Sequence, residues 1–182
     1  MSESWDAEKC LLLFSEFLRF ETVSALGFSN GAYNNCADWL VENFKKIGFQ
    51  SCTILHESVP NKPIVIAEWL GSDPTLQCIF LNCHYDVVPD MTDFWSVPAF
   101  EGLRRDGRTY GRGAQDMKCV CVQYLIAMQS LKCQGYIPLR TIRLSFVPDE
   151  EIGGTDGMLV LLNSKWFKEY PIGIALDEVF SN

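Results

Sequence analysis

Apolar positions recur at helical spacing over residues 6–20, "DAEKCLLLFSEFLRF", where Leu11, Phe14, Phe17 and Leu18 share one face. Asp6 is a candidate N-cap, since its carboxylate can accept from the first free backbone N–H groups. The stretch "SNGAYNNCADWLVENFKKIGF" repeats the period: Ala37, Leu40, Val41 and Phe44 form a stripe, and Gly48 stands where a C-terminal cap belongs. The period then changes. "SCTILHESV" alternates roughly, and "PIVIAEWLG" predicts a strand closed by a turn at "GSDP". "LQCIFLNCHYD" is apolar almost without a break, as in a central strand buried on both faces. A long loop with aromatic and proline punctuation follows, from Val88 to about Arg108. "DMKCVCVQYLIAMQSLKCQG" predicts a helix ended by Gly135, "TIRLSFVPDEE" a second buried strand, "GMLVLLNSKWF" a helix and "IGIALDE" a third short buried strand.

Strands alternating with helices predict an α/β domain: three layers, with helices on both sides of a largely parallel central sheet. No repeat, linker or low-complexity stretch interrupts the 182 residues, enough for one domain with a real core.

Composition narrows the partners. The net charge of -8 argues against nucleic acid and anionic membranes, which require clustered Lys and Arg. No apolar run approaches the ~20 residues of a membrane helix. The beginning, "MSESWDAEKC", is polar and acidic and reads as no leader. The eight cysteines form no C-x-x-C pair and no zinc-type spacing, and several fall on apolar faces. They read as buried free thiols, and the expected compartment is the reducing cytosol.

Chemistry gathers at the strand ends. In open α/β sheets, ligands bind beyond the carboxyl ends of the strands. There "IFLNCHYD" places His84 and Asp86, "IRLSFVPDEE" places Asp149, Glu150 and Glu151, and "IGIALDE" places Asp177 and Glu178. Asp116 lies between a glycine turn and a helix start in "YGRGAQDMK". Each has an ordinary reading: His84 as a satisfied core residue, the acidic triplet as a solvated turn or helix cap, Asp116 as the cap of the helix from Met117, Asp177 in a surface loop. Together, carboxylates in one cleft repel one another or take up protons, and a divalent cation removes that cost. Imidazole plus carboxylate suits zinc, with cobalt or manganese as alternatives. One histidine and three or four acids exceed one tetrahedral zinc and suggest two metals sharing a carboxylate. Asp86 lies two residues beyond His84, on the same strand face, where it can take the proton of the second ring nitrogen or orient the ring through the metal shell.

The motifs "HYDVVP", "GRGAQDMK", "FVPDEEIGG" and "ALDE", in this order, resemble the zinc-dependent aminoacylase, carboxypeptidase and acetylornithine-deacetylase family of amidohydrolases. The resemblance spans essentially the whole chain. Cys119, where most of the family has glycine after D-M-K, and the "DFWSVPAF" loop point to its aminoacylase members. The resemblance implies that His84 and Asp177 are ligands of a first zinc. It makes Asp116 the carboxylate bridging two zincs, with a cis bond to Met117, and Glu151 a ligand of the second zinc. Glu150 becomes the general base and Asp86 the partner of His84. The implied reaction is hydrolysis of an N-acyl-L-amino acid, or of a dipeptide or C-terminal peptide bond in other members. Family members are roughly twice this length. The resemblance therefore implies that residues 1–182 are the N-terminal part of the zinc-binding catalytic domain. The rest of that domain, with the second zinc's histidine, and a dimerisation or lid domain that makes a homodimer would lie outside. His56, in none of the motifs, reads as structural, and the chain alone is expected to be inactive or weakly active, or a non-catalytic fragment.

Overall fold

The computed structural model describes residues 6–49 and 51–178. Helix α1 (Ala7–Leu18) starts where the pattern predicts, with the Asp6 carboxylate accepting from the Lys9 amide at 2.7 Å. Helix α2 (Ala32–Lys46) ends before Gly48, whose φ of +86° ends the turn in the left-handed region. Strands β1 (Ser51–Ile54), β2 (Val65–Trp69) and β3 (Cys78–His84) follow. The long connection after β3 holds a short hairpin, β4 (Leu103–Arg105) with β5 (Arg108–Tyr110), that hydrophobic patterning does not predict because each arm has only three residues. Helix α3 (Lys118–Cys133) leads to β6 (Ile142–Val147). The predicted helix after it is two short ones, α4 (Met158–Asn163) and α5 (Lys165–Lys168), because the extended backbone of Ser164 breaks the run and its hydroxyl caps the second piece. Strand β7 (Ile172–Leu176) is the last described element.

The five-stranded sheet has the order β1-β2-β6-β3-β7. β6, β3 and β7 are parallel neighbours, while β2 runs against both β1 and β6. The sheet is therefore mixed, with β2 alone reversed, because β1 and β2 are joined by a short connection that turns the chain back. α1, α2 and α3 cover one face, packing Phe17, Phe44 and Leu125 against Leu81, Leu144 and Phe146. α4 and α5 cover the other, over Ile66, Phe80 and Val147. Three layers result, as the sequence predicts.

β7 departs from expectation. Its apolar residues predict a strand buried on both faces, yet Ile174 is 53% and Leu176 50% exposed. It is an edge strand that pairs only with β3, so its far side has no neighbour among the described residues. The parallel trio still places the ends of β3, β6 and β7 side by side, and these carry the acids.

Candidate metal centre

His84 ends β3 and is 1% exposed. Its ring is held through Nδ1, which lies 2.9 Å from the Asp86 backbone carbonyl and 3.3 Å from the Asp86 carboxylate. The backbone oxygen is thus the nearer acceptor, and a proton on Nδ1 leaves Nε2 with a lone pair. That lone pair faces negative oxygens: Asp116 Oδ1 at 3.1 Å, and Glu150 Oε2 and Glu178 Oε2 each at 3.8 Å. Acceptors pointed at acceptors require a proton or a cation between them.

Both effects show in the acid–base properties. Burial disfavours the charged imidazolium, but the Asp86 carboxylate, with help from Glu150, outweighs it and lifts His84 to about 10. Burial and then the hydrogen bond and charge of Asp116 push Glu178 up to about 7. Glu151 is raised by burial and by Asp116. Without a cation, this site holds protons that ordinary solvent-exposed carboxylates would have lost.

Asp86 is fully buried and more elaborately bound than the sequence suggests. It accepts from the Ser24 hydroxyl at 2.7 Å and from the amides of Glu150 and Glu151 at 3.1 and 3.2 Å. Ser24 is brought there by a short bridge in which Val23 lies alongside Val87, extending the sheet beyond β3. Asp86 therefore orients His84 and ties the acidic turn after β6 to the end of β3.

Asp116 does not cap α3: the N-cap position is Met117, with no side-chain capping bond. Its carboxylate is free to face His84, and the Asp116–Met117 bond is cis. Asp116 also lines a cavity of about 420 Å³ together with Glu151 and Arg112. Its carboxylate thus lies near His84 Nε2 and lines the same cavity as Glu151.

Of the two acids after β7, Asp177, expected as a ligand of the first zinc, does not face His84, whereas Glu178, with no role expected of it, does. The Asp177 carboxylate turns away to Asn82, accepting from its side-chain amide at 2.9 Å, and the Glu178 amide donates to Asp177. Glu178 is the residue that joins His84 and Asp116: single ligand-type atoms of these three lie within 4.8 Å of one another. The reason is register. Leu176 pairs with Leu81, so the next position, Asp177, falls beside Asn82, and the backbone leaves the strand at Leu176, carrying Glu178 inward. Strand alternation cannot predict the direction of a side chain beyond the strand's end. Ser24 carries no sequence signal at all, since its role exists only through the Val23–Val87 contact. His56 lies apart from the group, beside a different cavity lined also by Asp38 and Asn61.

The donor set fits a divalent cation: one buried imidazole whose free nitrogen is aimed at carboxylates, with a third acid at the rim. A three-layer α/β fold with an imidazole–carboxylate group at the carboxyl ends of its parallel strands is the arrangement in which open sheets of this class bind their ligands. The chain belongs to the peptidase family M20/M25/M40, whose family model matches residues 80–180. It is 42% identical over 167 residues to aminoacylase-1 of Sus scrofa, covering 91% of this chain and 40% of that protein. Aminoacylase-1 of Dictyostelium discoideum is 38% identical over 168 residues, again covering 91% of this chain and 40% of the relative. The fold superposes on human carnosine dipeptidase 1 with a TM-score of 0.80 at 20% identity, covering 94% of this chain and 38% of that one. A metallo-carboxypeptidase from Sulfolobus solfataricus gives 0.78 at 23% identity, over 96% and 37%. The chain thus spans about 40% of the length of the curated relatives it matches.

Proposed function

We propose that this chain is the N-terminal part of the catalytic domain of a zinc-dependent amidohydrolase that cleaves N-acyl-L-amino acids to a carboxylate and a free L-amino acid. The observation that carries the reading is the His84 Nε2 lone pair facing Asp116, Glu150 and Glu178. The identity to proteins named aminoacylase-1 supports the substrate class.

In this reading His84, Asp116 and Glu178 hold the first metal, Glu178 replacing Asp177 of the sequence reading, while Asp177 braces Asn82 and the strand end. Asp116 and Glu151 hold the second, whose remaining ligand, a histidine, lies outside this chain. A bound zinc supplies Lewis acidity to the scissile carbonyl and lowers the pKa of water. Glu150 accepts the proton of the attacking water and delivers it to the leaving amine. Asp86 keeps the His84 proton on Nδ1 and so keeps Nε2 available. The lid and dimerisation domain and the C-terminal part of the catalytic domain complete a homodimer. The eight cysteines, all free in the structure, support a cytoplasmic location.

The test is a metal and activity measurement on the natural full-length protein and its Glu150→Gln variant. Expected are bound zinc in both, hydrolysis of N-acetyl-L-methionine, and a loss of about 10²–10⁴-fold in kcat in the variant. Absence of bound zinc, or a variant as active as the parent, would overturn the reading. A second reading, a dipeptidase or carboxypeptidase, rests on the fold shared with the two solved structures above. A parallel assay on dipeptides separates the two.

A further inference from the structure

Glu150 and Glu151 stand on a single helical turn (Glu150–Ile152) directly after β6, so their direction is inherited from the backbone. That backbone is set by Asp149, a buried non-glycine residue at φ +60°. Left-handed backbone is unfavourable for most side chains and persists where the surroundings hold it. Here the holding is explicit. The Tyr33 hydroxyl donates to Asp149 Oδ1 at 2.8 Å, and the Lys62 ammonium lies 2.5 Å from Oδ2 and 2.7 Å from Asp156 Oδ2. The Asp149 carbonyl accepts from the Gly154 amide at 2.7 Å, closing the turn.

The two anchors are themselves fixed. Tyr33 is fully buried in the first turn of α2, edge-on to Tyr85 at 5.3 Å. Tyr85 in turn donates to the Pro63 carbonyl at 2.6 Å, beside Lys62. A buried carboxylate needs such a counter-charge and donor, since removing one partner leaves an uncompensated charge. The acidic turn is therefore gripped from two sides: Asp86 takes the amides of Glu150 and Glu151, and Tyr33 with Lys62 takes the side chain of Asp149.

We infer that Tyr33 and Lys62 are positioning residues, which act through Asp149 to fix the directions of Glu150 and Glu151. The inference rests on the functional reading above for what those directions serve. Neither residue touches the metal group, and neither lies in a motif that the sequence brings forward. They come from α2 and from the β1–β2 connection, far along the chain from Asp149.

The test compares the natural full-length protein with Tyr33→Phe, Lys62→Met and Lys62→Arg. The first readout is amide hydrogen exchange. Expected is exchange at least about tenfold faster at Glu150 and Glu151 in Tyr33→Phe and Lys62→Met, with β3 and β6 amides unchanged and Lys62→Arg restored towards the parent. The second is the visible spectrum of the cobalt(II)-loaded protein at saturation, which reports ligand geometry and is expected to change in the same two variants. Unchanged exchange, faster exchange throughout the sheet, or an unaltered cobalt spectrum would each overturn the inference. Failure of the parent protein itself to take up cobalt would instead overturn the functional reading, so the two failures are told apart by which protein shows them.

Discussion

A histidine lone pair aimed at three carboxylates fixes how metal binding must depend on pH. With its pKa lifted to about 10, His84 holds a proton across the neutral range, and a metal must displace it. Glu178, near 7, adds a second proton to be displaced below neutrality. Folded-state proton uptake therefore competes with metal, and affinity rises with pH. We expect an increase of about tenfold per pH unit between pH 7 and 8, and a steeper one between pH 6 and 7. Competition with a chelator of known pH dependence measures this, and a flat profile would contradict it. The same assay separates the two neighbouring acids. Glu178→Gln is expected to weaken metal at least tenfold, the usual scale for a lost ligand or its orienting partner. Asp177→Asn, which keeps an acceptor for Asn82, is expected to change it much less. The reverse order would restore Asp177 as the ligand.

At the scale of the element, α3 begins with a buried cation. Lys118 is fully buried, and its ammonium donates to the carbonyls of Phe20 at 2.7 Å and Phe17 at 3.4 Å, at the end of α1. It ties the helix carrying the metal-site turn to the helix that opens the chain. Burial holds it down from 10.5 to about 8, against weaker opposing effects of nearby groups. A lysine with a depressed folded pKa destabilises the fold while it is charged, and that cost disappears as pH rises from the folded to the unfolded value. The unfolding free energy of the parent relative to Lys118→Met should therefore rise by roughly 3 kcal/mol between pH 8 and 10.5. Taking the difference cancels the thiol of Cys52, which burial pushes to about 12 independently of Lys118. A difference that stays constant over this range would show that the ammonium is better solvated than its surroundings indicate. The sequence gives no warning of this residue, because a lysine at a helix start reads as surface.

For the whole molecule, the mixed sheet has a well-covered interior and, at β7, an edge strand whose apolar residues are exposed. β7 presents Ile174 and Leu176 with half of their surface exposed and no strand beyond it among the described residues. Apolar edge strands pair with other chains. This chain by itself is expected to associate with rising concentration, and Ile174→Lys with Leu176→Lys to reduce that association, as sedimentation velocity would show. A monomer over the whole concentration range would refute the expectation.

The alternation of helices and strands, the three layers, and the placement of His84, Asp86, Glu150 and Glu151 at one end of the sheet are legible in the order of residues along the chain. These follow from local periodicity and from the strand-end rule, both of which act within a dozen residues. The packed fold is what sets the reversed direction of β2 and the exposure of β7. It alone turned Asp177 to Asn82 and Glu178 to His84, and brought Ser24, Tyr33 and Lys62 to the acids. Those facts depend on pairing register and on contacts between distant segments, such as the 116 positions separating Tyr33 from Asp149. No local pattern of apolar and polar residues encodes such contacts, because they are set by how packed layers bring strand ends and loops together.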